Sequence, residues 1–199
     1  MGSVTAIDDR IQRSRADFME HVWPVVSKSF PAGKLVPVEA EGTEISKLLD
    51  IAGIDHFFCP DRGEPYGVSQ RVLTGSWGTL TMRASELRHL RSVWGCPGAL
   101  APAVLIQGYV NPISGGLRRL DAAIALRTEE LLTYIRQNPG QERNGVQGST
   151  FYTWNYDDLD AAHICSLRVP ARSLVDPLGL LRIKDGREVV RISNRTDDG

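Results

Sequence analysis

Between positions 54 and 83 the sequence sets three β-forming runs in succession: 54–59, 66–73 and 79–83. Only turn residues separate them, Pro60-Asp-Arg-Gly63 first and a Gly-containing stretch second. A parallel doubly wound sheet needs a crossover, usually a helix, between successive strands. Three strands without one speak against that plan. The chain is therefore expected to build a mixed sheet, in an α/β or α+β domain flanked by helices.

The remaining periodicities fill in that plan. Thr5-Ala-Ile-Asp8 reads as a capping box opening a long helix over 6–29, with Ile7, Ile11, Phe18, Val22 and Val25 at helical spacing. Pro24 lies inside this helix and is expected to kink or shorten it. Thr43 is placed to cap a second helix from Glu44 to Ile51, with Ile45, Leu48, Leu49 and Ala52 as its buried face and Gly53 in a left-handed C′ position. A polar segment over 85–93 reads as a short helix. Residues 103–110 form an apolar run suited to a buried strand, and 117–126 a further strand. Thr128 precedes a helix over 129–137, and Asn138-Pro-Gly140 opens a polar stretch expected to be a mobile loop to Gly148. Strands follow over 150–154 and 164–169, with a helical turn at 157–162 between them. On the 150–154 strand, Phe151 and Thr153 are assigned to the core. Asp185-Gly186 marks a closing hairpin over 180–192. Residues 1–193 are read as one domain with an N-terminal helix, and 194–199 as a disordered tail.

A chain of 199 residues with 42% hydrophobic and 24% charged residues can hold a core of ordinary size. No apolar run reaches the ~18 residues a membrane span needs, and the first residues lack the apolar stretch of a secretory signal. The expected location is the cytoplasm. The net charge of -1 excludes a polycation, yet the basic residues are nineteen Arg against four Lys, and guanidinium groups suit phosphate and carboxylate. Cys59, Cys96 and Cys165 are an odd number and are read as free, buried thiols. His56 with Cys59, and His163 with Cys165, have spacings that suit zinc poorly.

The chemistry-bearing constellation lies at 44–71. An acid, Asp55, opens the first strand, and Ser69, Gln70 and Arg71 sit mid-way along the second. Helix, acid at a strand start, turn and polar second strand together resemble the PD-(D/E)XK nuclease superfamily, the restriction-endonuclease-like fold. The resemblance spans about residues 43–83. It implies Mg²⁺ held by Asp55 with Glu44 of the preceding helix, Arg71 in the place of the motif lysine, Gln70 as a polar contact, and DNA or RNA as substrate. The chain departs from the motif in two places. Ser69 stands where the second carboxylate belongs, and Arg71 holds its proton too tightly to activate water. Glu64 on the same strand lies seven residues from Arg71, roughly 23 Å if extended.

These departures leave two functional expectations: a divergent metal-dependent nuclease, or a non-catalytic accessory or binding subunit of a mobile-element or defence system, with a protein partner. A plain structural account stands beside them. Asp55 can accept backbone amides in a turn, and Arg71 can pair with Asp55 or Asp61. Arg83, Arg88 and Arg91, near Trp77 and Trp94, are the residues expected to touch phosphates.

Overall fold

The computed structural model describes residues 4–38, 44–75, 77–96, 99–145, 149–169, 181–184 and 188–191. The fold is mixed α/β of the α+β type. A six-stranded mixed sheet forms its centre, and a second sheet of three strands lies with the helices that flank it.

The N-terminal helix begins as α1 (Val4–Asp17), widens into a π turn (Phe18–Val22), resumes as α2 (Trp23–Val26) and tightens into a 3-10 turn (Ser27–Ser29). Pro24 explains the π turn. Its ring has no N–H and collides with the carbonyl four residues back, so the helix widens just ahead of it instead of breaking. Phe18, Val22 and Val26 are buried, whereas Ile11 is 47% exposed, against the even stripe that the periodicity suggests.

The central sheet runs in the order β1 (Gly33–Pro37), β2 (His56–Pro60), β3 (Tyr66–Leu73), β5 (Val104–Pro112), β6 (Arg118–Arg127) and β9 (Cys165–Val169). Among the described residues of this sheet only β3 and β5 pair in parallel. The third expected strand, β4 (Thr79–Arg83), leaves this sheet. It pairs antiparallel with β8 (Thr150–Asn155), which in turn pairs with β7 (Gln141–Asn144). The crossover between β3 and β5 consists of β4 and the helix α4 (Ala84–Val93).

The two faces of the central sheet carry separate cores. Val68, Val104, Ile106, Val110, Ala123 and Ala125 pack with Phe58 on the N-terminal helix. Leu105, Tyr109, Ala122, Ile124 and Leu126 pack on the opposite face, against β4, β8, α4, α5 (Thr128–Gln137) and α6 (Tyr156–Ala161). Asp17, on the helix, pairs with Arg118 at the start of β6 and ties the first of these layers to the sheet.

Several local expectations give way to longer-range contacts. Among the described side chains of α3 (Glu44–Ile51) only Leu49 is buried, with Ala52 just beyond the helix, against Ile54. Ile45, Leu48 and Ile51 are 71%, 56% and 69% exposed. Among the described residues nothing covers the rest of the helix's apolar stripe. Gly53 has the expected positive φ of 71°, while its partner cap, Thr43, lies outside the described residues. Thr128 is itself the first residue of α5, and its hydroxyl donates to Pro102 O at 2.6 Å instead of capping the helix. Asn138-Pro-Gly140 leads into β7, not a mobile loop. The indole N–H of Trp154 donates to Asn138 O at 2.8 Å. A Cβ on Gly140, whose φ is +80°, would stand 2.5 Å from the Trp154 ring. The core face of β8 is correspondingly that of Trp154, 4% exposed, and not that of Phe151 and Thr153. β10 (Leu181–Lys184) and β11 (Glu188–Arg191) form the expected hairpin, with its turn and residues 194–199 outside the described residues.

Candidate functional site

Asp55 emerges from Gly53 into the mouth of β2. Its N–H donates to Val68 O at 3.0 Å, and its carbonyl accepts from Val38 N–H at 2.9 Å. Its carboxylate Oδ2 accepts the Gln70 backbone N–H at 2.8 Å and the Ser69 hydroxyl at 3.4 Å. The acid thus fastens the start of β2 to the middle of β3.

Strand alternation fixes which neighbours share a face. His56 and Phe58 of β2, and Val68 of β3, face the N-terminal helix. Asp55, Ser69 and Arg71 therefore share the opposite face, the one on which Leu105 and Gln107 of β5 project. Gln70 falls on the helix side, in register with Ile106, and its Oε1 is buried without a hydrogen-bond partner. The same alternation puts His56 and Cys59 on opposite faces of β2.

Arg71 turns away from Asp55. Its Nη1 donates to Thr81 O at 2.8 Å and to Glu86 Oε2 at 3.0 Å. The same Glu86 oxygen accepts the Arg83 N–H at 2.9 Å, which closes the first turn of α4. Neither Asp55 nor Asp61 is the partner of Arg71. Glu44 stands at the other end of α3, about 10 Å along its axis from Ile51, exposed and paired with Lys47 at 3.0 Å. Asp55 and Glu44 are thus not brought together. Among the described residues no three His, Cys, Asp or Glu side chains converge as a metal would require. The oxygens gathered at Asp55 include its own carboxylate and the Ser69 hydroxyl, whereas Mg²⁺ is usually held by one or two carboxylates together with waters and substrate phosphates.

A cavity of about 450 Å³ opens beside this pair of strands. Ser69, Arg71, Leu105 and Gln107 form its floor, Leu80 and Met82 of β4 one wall, and Ser85, Glu86, His89 and Leu90 of α4 the other. Ile51 and Gly53 flank it at the end of α3. Asp55 is not part of the lining and stands behind Ser69. His89 Nε2 is buried and, among the described residues, has no hydrogen-bond partner.

Gln107 anchors this cavity and went unnoticed in the sequence, where it is one amide inside an apolar run. It is 2% exposed. Its amide nitrogen donates to Thr79 O at 2.6 Å and to Tyr156 Oη at 3.1 Å, and its oxygen accepts Thr81 N–H at 2.9 Å. The side chain therefore pairs with the open edge of β4 as a strand would, and Arg71 takes the next carbonyl on that edge. An amide in the middle of the 103–110 run was the available signal. Glu86 and His89 gave none, because a polar helix face is ordinarily solvated.

Arg83, Arg88 and Arg91 are exposed on β4 and α4. Leu87 and Leu90 bury the inner face of α4, and Arg88 and Arg91 project from the outer one. The three cysteines are free, but Cys96 is exposed, not buried. The Cys165 thiol is pushed up to about 12, first by burial and then by the Asp160 carboxylate, so it is not a reactive thiolate.

Comparison with models of known protein families, with curated proteins and with solved structures returns no match. Among the described residues no helix is long and apolar enough to cross a membrane.

Proposed function

We propose that this chain binds DNA or RNA through the outer face of α4 without cutting it, as an accessory subunit working in the cytoplasm. The observation that carries this reading is the pairing of Arg71. Its guanidinium is held by Glu86 and Thr81 O, so the acid and the cation of a would-be catalytic pair do not converge on one reacting phosphate. What supports binding is the set of exposed guanidinium groups at Arg83, Arg88 and Arg91, which suit phosphate contacts. The uncovered apolar face of α3, with Ile45, Leu48 and Ile51, supports a protein partner.

The test uses fluorescently labelled single- and double-stranded DNA and RNA, with Mg²⁺ or Mn²⁺. Binding is expected to weaken as salt rises, and an Arg88→Ala, Arg91→Ala double variant is expected to lower the salt slope by about two. The Asp55→Ala variant is expected to bind as the parent does. Metal-dependent cleavage by the parent that disappears in Asp55→Ala would restore the nuclease reading, with Asp55, Gln70 and Arg71 as its catalytic residues and Mg²⁺ as its cofactor. Absence of binding to all four nucleic acids would remove the proposal.

A further inference from the structure

The cavity beneath α4 has a composition that the arginine face does not explain. At about 450 Å³ it falls within the ~300–1,000 Å³ of small-molecule sites. Its walls are largely aliphatic, from Leu80, Met82, Leu90 and Leu105. Its charge is balanced, since Arg71 and Glu86 face each other at 3.0 Å. A balanced site does not select for a phosphate group.

The hydrogen-bonding capacity that remains is specific. Among the described residues, both hydrogen bonds to Glu86 end on Oε2, which leaves Oε1 as an acceptor. Arg71 uses only Nη1, which leaves N–H donors on a guanidinium that has five. A donor and an acceptor therefore lie beside each other in a lining that is otherwise largely aliphatic. Their complement is an N–H next to an acceptor, a C=O or a ring nitrogen, on a planar ring. His89, with a buried and unpartnered Nε2, adds one further polar position in the same lining.

From this we infer that the cavity binds a neutral planar heterocycle whose edge sets an N–H beside an acceptor, as the nucleobases do, free or as a nucleoside. The inference does not depend on the α4 arginines binding a polymer. The ring lies between the aliphatic walls, its acceptor takes an N–H from Arg71, and its own N–H donates to Glu86 Oε1.

Titration calorimetry and thermal shift with guanosine, inosine, uridine, adenosine and cytidine, beside 1-methylinosine and 3-methyluridine, whose edge N–H is blocked, test it. The five unmethylated nucleosides are expected to bind saturably at or below about millimolar concentration, and the two methylated ones at least tenfold more weakly. Glu86→Gln keeps an acceptor for the Arg83 N–H but turns the outer oxygen into an ambiguous amide, and is expected to erase the preference. Ser85→Trp, at an exposed position of the lining, is expected to block all five unmethylated ligands while the protein melts at its usual temperature. Equal binding of methylated and unmethylated nucleosides to the parent, binding that survives Ser85→Trp, or binding of none would each overturn the inference. Oligonucleotide binding without nucleoside binding would leave the arginine face standing and remove this site.

Discussion

Gln107 and His56 show how single buried polar groups shape this protein in opposite ways. Gln107 has its amide donors and acceptor matched, and it gives β4 the edge partner that the central sheet does not. Gln107→Leu keeps the volume but strands Thr81 N–H and leaves the Tyr156 hydroxyl without its nearest donor. A buried unsatisfied group costs about 1–3 kcal/mol, so a loss of about 3 kcal/mol is expected, read as a lower urea midpoint at unchanged slope. His56 is 3% exposed, stacked on Phe18 at 5.3 Å, with Nδ1 unpartnered. Burial, with help from the Arg15 charge, lowers its pKa from 6.5 to about 4. Between those values the unfolded chain takes up a proton that the folded one refuses. Stability is therefore expected to fall as pH drops from 6.5 toward about 4, by about 3 kcal/mol in total, and to be insensitive to this group above 6.5. In a His56→Phe variant, urea melts across that range should lose this component of the slope. An unchanged slope would mean that His56 is protonated inside the fold.

At the scale of elements, α3 separates periodicity from burial. Its apolar positions recur at helical spacing, yet the tertiary contact selects Leu49 and leaves Leu48 open. Leu49→Ala is expected to cost about 2 kcal/mol and Leu48→Ala under about 0.5 kcal/mol, compared by thermal melts of the isolated chain. If the two cost the same, the exposed face is covered in solution. The N-terminal helix makes a related point. Pro24 announces a disturbance, and the structure resolves it as a π turn that keeps Phe18, Val22 and Val26 on one buried stripe across the interruption. The Asn138-Pro-Gly140 segment reads as a loop by composition. It is held because Gly140 leaves room for Trp154, a residue fourteen positions later in the chain.

For the whole molecule, the decisive event is the departure of β4 from the central sheet. Once β4 pairs with β8, the crossover from β3 to β5 arches over one sheet face and leaves the cavity beneath it. Arg71 then finds Glu86 across that arch, and the acid–cation pair suggested by the adjacent strands never forms. The fold class, the identity of nearly every strand and helix, the positive φ at Gly53 and the adjacency of the Asp55 and Arg71 strands were legible in the sequence. They depend on spacing, turn chemistry and backbone sterics, which act within a few residues. Which sheet β4 joins, which ridge of α3 is covered, which face of β8 is buried and which carboxylate holds Arg71 were decided only by the assembled chain. Each of these is a choice among chemically similar partners, and proximity between residues far apart in sequence makes that choice.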